Sequence, residues 1–285
     1  MPAFYLRACA KKSFLAGAVV SLISVGSVAS AQAVDTPVSA SQPVQPQAAE
    51  HPLKPAVDIA QRSIQLQEAN IQDYSATMRK VERIDGKVGE PEYALVKVRN
   101  KPFSVYMHFI GPNDLKGQEC MYVDGQNKGQ MFAHAPPGTL RGKFGTVSLA
   151  PNSAMAMKGQ RYPITELGIY NLTRRLVEVG QKDMQYGECD VKFFKGYKVD
   201  QRSCMMIQVT HPVPRRNFLF HVARIYVDDE WNFPIRYEAY DWPTEQGGQP
   251  QLLEEYTYMN VKLNQGYTDA DFDVHNPSYQ FNMKK

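Results

Sequence analysis

The stretch FLFHVARIYVD at residues 218–228 decides the fold, together with FPIRYEAYDW at residues 233–242 and LLEEYTYMNVKLN at residues 252–264. In each stretch apolar and polar side chains alternate with the period of two that is typical of a β-strand. The acidic turn Asp228-Asp229-Glu230 separates the first two stretches. Strands of up to about a dozen residues twist strongly and curl toward a barrel, so we expect an antiparallel sheet wrapped around a helix.

The same alternation predicts seven further strands, at residues 74–84, 92–99, 103–110, 120–124, 130–135, 189–199 and 202–211. Two segments have a helical period instead, residues 55–70 and residues 165–180. In the second segment Thr165 is the expected N-cap and Gly180 the expected end. The sequence therefore predicts an α+β fold, an unclosed antiparallel half-barrel of about ten strands covered by helices.

The N-terminal residues predict export from the cytoplasm. Arg7, Lys11 and Lys12 precede an apolar stretch at residues 14–28, which is followed by Ala29-Ser30-Ala31. A basic segment, a short apolar segment and a small-x-small cleavage site form the three parts of a secretory signal peptide. The apolar stretch is shorter than the roughly 20 residues that span a bilayer, so we expect cleavage rather than membrane anchoring.

The leader also accounts for the charge of the chain. The chain has 32 Lys and Arg against 29 Asp and Glu, and the leader holds three positive charges and no acid. The mature domain is therefore predicted to be neutral, which argues against nucleic acid as a partner. We predict a signal peptide at residues 1–31, a disordered tether rich in Pro, Ala and Gln at residues 32–54, and a single domain at residues 55–285 without a transmembrane segment.

One alternating face of the predicted strands is strongly apolar, and the other mixes charges with rings such as Tyr256 and Tyr258. The apolar face either fills an ordinary core or lines a cavity for an acyl chain, and the residues alone leave both interpretations open. The candidates for lining a hydrophobic ligand are Phe103, Val105, Met107, Phe109, Ile225, Val227, Met259 and Val261. The candidates for a lid helix are Ile169, Leu172 and Leu176.

The sequence contains none of the common catalytic or nucleotide-binding motifs, so we predict no enzyme activity, no cofactor and no metal. His211 and His221 could meet across adjacent strands, but two unrelated strand histidines are the favoured interpretation. Asp183 is expected to be a solvated loop carboxylate. In a hairpin turning at Asp200-Gln201, Cys204 would lie opposite Tyr197 rather than Cys189, which disfavours a disulfide between the two cysteines.

The order of elements resembles the LolA-like superfamily of exported proteins. Three motifs, GQECMYV at residues 117–123, RYPITE at residues 161–166 and IRYEAYDWP at residues 235–243, look more closely like an exported family of unknown function within or near it. The resemblance implies an unclosed barrel with a hydrophobic cavity and a periplasmic location. It also implies a carrier or sensor whose partner is a lipid or an acylated lipoprotein.

Three functions follow from these observations. The first is a periplasmic protein that holds acyl chains or another apolar ligand between the sheet and the second helix. The second is an envelope protein-interaction module with a packed core and no ligand, whose partner is another envelope protein. The third, a hydrolase that uses His134, His211 or His221, has the least support from the sequence.

Overall fold

The computed structural model describes residues 50–136, 138–139 and 145–281. The predicted signal peptide and all but residues 50–54 of the predicted tether lie outside the described residues. The helices are α1 (Lys54–Asn70) and α2 (Ile169–Asp183). The strands are β1 (Asp73–Ile84), β2 (Lys87–Val88), β3 (Glu92–Arg99), β4 (Ser104–Gly111), β5 (Glu119–Val123), β6 (Met131–His134), β7 (Thr146–Leu149), β8 (Asp190–Val199), β9 (Arg202–Thr210), β10 (Val222–Asp228), β11 (Pro234–Asp241) and β12 (Gln251–Leu263).

The strands form one 12-stranded sheet in the order β7-β6-β5-β4-β3-β1-β12-β11-β10-β9-β8, and β2 pairs with β1 beside this path. Every pairing is antiparallel. The sheet therefore consists of two meanders, β1 to β7 and β8 to β12, joined where β1 pairs with β12. The two outermost strands, β7 and β8, do not pair with each other, so the barrel is unclosed, and the predicted fold class is confirmed.

The segment between β6 and α2 holds more structure than the sequence indicates. It contributes β7, which extends the first meander, and a 3-10 turn at Ile164–Glu166. The expected helix start at Thr165 is wrong, because that residue lies in the 3-10 turn and α2 begins after Gly168, whose φ is 112°. The expected end at Gly180 is also wrong, since α2 continues to Asp183.

Helix α1 begins at Lys54 with Pro55 in its first turn, where a missing N–H costs nothing. Leu53, at the end of the predicted tether, is 3% exposed and packs in the core beneath the helices. The two helices contact each other through Val57 and Gly180, where a Cβ on the glycine would lie 2.7 Å from Val57 Cγ2. This close approach explains a glycine inside α2.

The hairpin of β8 and β9 turns at Asp200 and Gln201, which both have positive φ. Tyr197 is paired with Cys204, so the register expected from the sequence is confirmed. Cys189 lies outside β8, and the thiols of Cys120, Cys189 and Cys204 are all free. Among the described residues, no helix has both the length and the apolar character that crossing a bilayer requires.

Candidate functional site

A cavity of about 540 Å³ lies between the sheet and the two helices. Its volume is within the range of roughly 300–1,000 Å³ that is typical of small-molecule sites. Helices α1 and α2 form one wall, and strands from both meanders form the other. The apolar part of the lining consists of Ala56, Ile59, Ala60, Met78, Met107, Phe109, Leu172, Leu176, Val179, Ile207, Val209, Leu219, Ala223, Ile225 and Val227, among others.

The amphipathic pattern of α2 places its apolar side toward this cavity. Leu172, Leu176 and Val179 recur at helical spacing and line the cavity. Arg174 does not line the cavity and pairs with two carboxylates, at 2.6 Å from Glu178 and at 3.0 Å from Glu166. The helix is held against α1 by the buried bond from Gln67 Nε2 to Thr173 Oγ1, 2.9 Å.

The structure brings six of the predicted ligand and lid residues together at the cavity: Met107, Phe109, Leu172, Leu176, Ile225 and Val227. The other five do not line it. Val105 and Ile169 are almost completely buried in the core cluster beside the cavity, against which Phe103 and Val261 also pack. These four side chains fill protein core instead of facing open volume.

Met259 is displaced from the cavity by a bulge in β12. The pairing register with β1 shifts between Ser75 and Thr77, and Asn260 on β12 has a φ of 52°. Successive strand residues face opposite sides, so Tyr258, which lines the cavity, puts its neighbour Met259 on the other face. The extra residue then returns Val261 to the inner side. The sequence-based assignment of Met259 to the inner face is therefore wrong.

A group of polar side chains forms one part of the cavity wall, and we call it the polar cluster. Its members come from β1, β12 and the segment before α2: Lys80, Glu82, Gln160, Arg161, Tyr162, Glu254 and Tyr256. Glu254 accepts hydrogen bonds from Arg161 Nε at 2.7 Å and from the Tyr162 hydroxyl at 3.1 Å. Glu82 accepts one from the Arg161 backbone N–H at 3.1 Å and another from the Tyr256 hydroxyl.

The polar cluster is buried and largely satisfied internally. Lys80 and Glu82 are 5% and 6% exposed, and Lys80 Nζ lies 2.9 Å from Glu92 Oε2. Burial raises the pKa of the Glu254 carboxyl, while the charge of Arg161 acts in the opposite direction. This cluster was not predicted from the sequence, because alternating charges on a strand normally indicate a solvated face. The only available signal was that the strand residues of the cluster occupy the same alternate positions as Met78 on β1 and Tyr258 on β12.

A second buried polar pair, Asp183 and His211, lies where α2 meets the start of the β9–β10 connection. Asp183 lines the cavity and is 3% exposed, so the expectation of a solvated carboxylate is wrong. Its Oδ2 lies 3.4 Å from Nε2 of the fully buried His211. His211 Nδ1 lies 3.1 Å from the Phe220 carbonyl oxygen, which can only accept, so Nδ1 carries the proton and Nε2 presents a lone pair.

The electrostatics of this pair favour its neutral form. Burial raises the pKa of Asp183 to about 6, and burial lowers the pKa of His211. The His211 backbone N–H donates to the His221 carbonyl at 2.8 Å, and His221 Nδ1 lies 2.8 Å from the His211 carbonyl oxygen. These contacts run through backbone atoms, and the two imidazole rings do not converge on a shared site.

The thiols are poorly suited to nucleophilic chemistry. Burial raises the pKa of Cys120 and of Cys189 to about 12 and that of Cys204 to about 11, so all three stay protonated near neutral pH. Within the described ranges, no three His, Cys, Asp or Glu side chains are grouped so as to hold a metal ion. The structure thus shows a cavity with an apolar body and a polar cluster in its wall.

Solved structures of several proteins resemble this chain at low identity. The lipoprotein LppX of Mycobacterium tuberculosis is 15% identical with a TM-score of 0.42, over 77% of this chain and 100% of that chain. The complex of MucA and MucB from Pseudomonas aeruginosa is 14% identical with a TM-score of 0.37, over 77% of this chain and 60% of that chain. A LolA superfamily protein of Nitrosomonas europaea is 10% identical with a TM-score of 0.29, over 75% of this chain and 97% of that chain.

A search of curated proteins finds no match. A family model does match residues 71–281, which is most of the chain and nearly all of the described domain. The matched region includes all three motifs on which the sequence resemblance depends, from β5 to the end of β11. The chain therefore belongs to the family described as protein of unknown function DUF1571.

Proposed function

We propose that this domain binds a hydrophobic ligand, the acyl chain of a lipid or of an acylated lipoprotein, as a carrier or sensor in the periplasm. The observation that carries the proposal is the cavity of about 540 Å³ with its apolar side chains from α1, α2 and both meanders. A packed interior normally leaves few voids larger than a water molecule. A cavity of this size with a mainly apolar wall is suited to a flexible chain.

The binding energy would come from burial of methylene groups. Each methylene removed from water contributes about 0.8 kcal/mol, so shortening a saturated chain by two carbons should weaken binding by about tenfold. Met107, Ile225 and Leu176 would contact such a chain from three sides, since they lie on β4, β10 and α2. No covalent step is required of the protein.

Location in the periplasm is part of the proposal. It is supported by the leader-like residues 1–31 and by the LolA-like order of elements in the sequence. The chain ligand and the location are consistent with each other, because an acylated molecule that crosses an aqueous compartment must shelter its methylenes from water.

The experiment is native mass spectrometry of the protein purified from its own envelope without detergent, followed by organic extraction. We expect a stoichiometric lipid mass, and uptake of an added fluorescent fatty acid by the delipidated protein. Leu176→Trp fills the cavity, and loss of room for two methylenes should weaken uptake by about tenfold. Leu66→Trp is the matched control, because Leu66 is exposed on α1 and does not line the cavity.

Met107→Asp places a charge in the same wall and should abolish uptake. Circular dichroism must show that each variant is folded. A clean apo mass together with no fatty-acid uptake by the wild type would refute the proposal. Equal uptake by the folded Leu176→Trp and Leu66→Trp variants would show that binding takes place elsewhere.

A second candidate, an envelope protein-interaction module, is favoured by the edge strand β8. No described strand pairs with the outer edge of β8, which exposes Phe193, Phe194 and Tyr197, each about 40% accessible. Exposed aromatic side chains on an unpaired edge are suited to strand addition by a partner. Capture of a protein partner by the apo domain, lost in Phe194→Lys but not in Leu176→Trp, would support this function over the first.

A further inference from the structure

Two neighbouring arginines of α2 have different partners. Arg174 does not line the cavity and is paired with Glu166 and Glu178. Arg175 lines the cavity, and within the described part of the chain no carboxylate lies within ion-pairing distance of its guanidinium. Its contacts are with Tyr162, whose hydroxyl lies 3.4 Å from Nη2 and whose ring centroid lies 4.4 Å from the guanidinium carbon.

Glu254, which shares the Tyr162 hydroxyl with Arg175, is already matched by another cation. Glu254 accepts hydrogen bonds from Arg161 and from the Tyr162 hydroxyl, so its charge is balanced by Arg161. Arg175 donates toward the lone pair of that same hydroxyl, which leaves most of its five N–H donors without an acceptor. A partly buried guanidinium beside an apolar cavity is therefore a charge without a counter-ion.

Tyr237 supplies a second donor beside this charge. It lies on β11, lines the cavity and is 9% exposed, and its hydroxyl makes no hydrogen bond to a described residue. Burial raises the pKa of this hydroxyl well above its ordinary value, so it remains a hydrogen-bond donor. The charge of Glu254 acts in the same direction on this pKa, and the charges of Arg175 and Arg161 act in the opposite direction.

We propose that Arg175 and Tyr237 bind an anionic oxygen head group, a carboxylate or a phosphate, of an acyl-chain ligand. The inference rests on the proposed function, because it names the head group of the ligand that the cavity would hold. The chain would run from this point along Leu176, Ile225 and Val227. A guanidinium and a phenol both donate, so they suit an acceptor with several lone pairs and give no selective contact to an alcohol of the same chain.

The test compares three 12-carbon ligands at pH 8: dodecanoate, dodecyl phosphate and dodecanol. Competition with a bound fluorescent fatty acid gives each affinity. The wild type should bind at least one anion about tenfold more tightly than dodecanol, as expected for charge-assisted hydrogen bonds. Comparison of the two anions then identifies which oxygen acid is preferred.

Arg175→Gln should remove that preference by weakening the anion about tenfold while dodecanol binding stays within about twofold. Arg174→Gln is the matched control on the adjacent residue and should leave all three affinities unchanged. Tyr237→Phe should reduce only anion binding, and it tests the site even where the arginine variant fails to fold. Urea unfolding confirms that each variant is native.

The outcomes separate the two proposals. Equal affinities of the wild type for all three ligands, or an equal loss of all three in Arg175→Gln, would overturn the head-group site and leave the acyl cavity standing. Failure of the wild type to bind any of the three would refute the acyl cavity itself. Equal effects of Arg174→Gln and Arg175→Gln would indicate general electrostatic attraction rather than a built site.

Discussion

Replacement of Asp183 by asparagine should stabilise the protein, although it removes a charged residue. Asp183 is 3% exposed, its carboxyl group accepts no hydrogen bond from a described residue, and the unpaired Nε2 of His211 lies 3.4 Å away. An ionised carboxylate in this position faces another acceptor inside the protein. Burial therefore raises its pKa from 3.8 to about 6.

The magnitude follows from that rise in pKa. One pKa unit corresponds to about 1.4 kcal/mol, so at high pH the ionised form lowers the free energy of unfolding by up to about 3 kcal/mol. Asparagine is neutral at every pH, and its amide N–H can donate to the lone pair of His211 Nε2. We expect Asp183→Asn to raise the free energy of unfolding by about 1–3 kcal/mol at pH 8.

The gain in stability from Asp183→Asn depends on pH. Above about pH 6, Asp183 is ionised in both the folded and the unfolded states, and the full cost is present. As the pH falls from about 6 toward 3.8, the folded protein takes up a proton before the unfolded chain does, and the cost is relieved. The advantage of asparagine should therefore shrink steadily toward pH 4. The lowered pKa of His211 destabilises both proteins as the pH falls and largely cancels in the difference.

Urea unfolding at several pH values between 4 and 8, under reducing conditions, measures the effect. Asp114→Asn, at an exposed loop aspartate, is the matched control and should change the free energy of unfolding by less than about 0.5 kcal/mol throughout. A loss of stability at pH 8 in Asp183→Asn would refute the reasoning, since it would mean that Asp183 pairs with a protonated His211. A gain that does not vary with pH would refute it equally.

Two further predictions concern how the cavity walls are held. Gly180→Ala should lower the free energy of unfolding by about 1 kcal/mol, because crowding against Val57 Cγ2 exceeds the gain in helix propensity. In thermal unfolding, Val57→Ala in the same chain should recover this loss. If the effects of the two substitutions are merely additive, the contact between the helices is contradicted. Arg161→Leu should lower the free energy of unfolding by about 2–4 kcal/mol, because it leaves the buried Glu254 without its cation. Adding Glu254→Gln should restore part of this loss. If nothing is recovered, Arg161 acts through packing alone.

Much of the sheet was predictable because its signals are local. Ten alternating segments correspond to ten of the twelve strands, and the two missed strands, β2 and β7, have only two and four residues. The hairpin register that places Tyr197 opposite Cys204 needs only a two-residue turn and a period of two. Strand order then follows from short antiparallel connections.

The ends of α2 were not predictable for a different reason. Glycine is the residue type expected at a helix end, but Gly180 instead lets α1 approach within contact distance. That contact joins residues far apart in the sequence. Threonine is a residue type expected at an N-cap, but Thr165 does not cap α2. The Tyr74 hydroxyl accepts a hydrogen bond from Ile169 N at 2.9 Å, and the Tyr258 hydroxyl accepts one from Gly168 N at 3.1 Å. Tertiary partners took the place of the local cap.

The candidate site shows the same division. The residues on α2, β4 and β10 that reach the cavity follow from uninterrupted periodicity, whereas Met259 does not, because one extra residue at Asn260 reverses the inner face of β12. The polar cluster was missed because it brings together β1, β12 and the segment before α2. Its charges are compensated only after these three segments meet, so no local pattern distinguishes them from solvated charges.

The polar groups of the cavity fall into two classes, and the difference bears on function. Glu82, Glu254 and Arg161 satisfy one another, and a satisfied buried network needs no ligand to explain it. Arg175 and Tyr237 have donors without acceptors, although an apolar residue at either position would have avoided that cost. A cavity-lining donor that the protein itself leaves unmatched is a group to which a bound ligand can add a hydrogen bond. These two residues are therefore the decisive positions at which to test what the cavity binds.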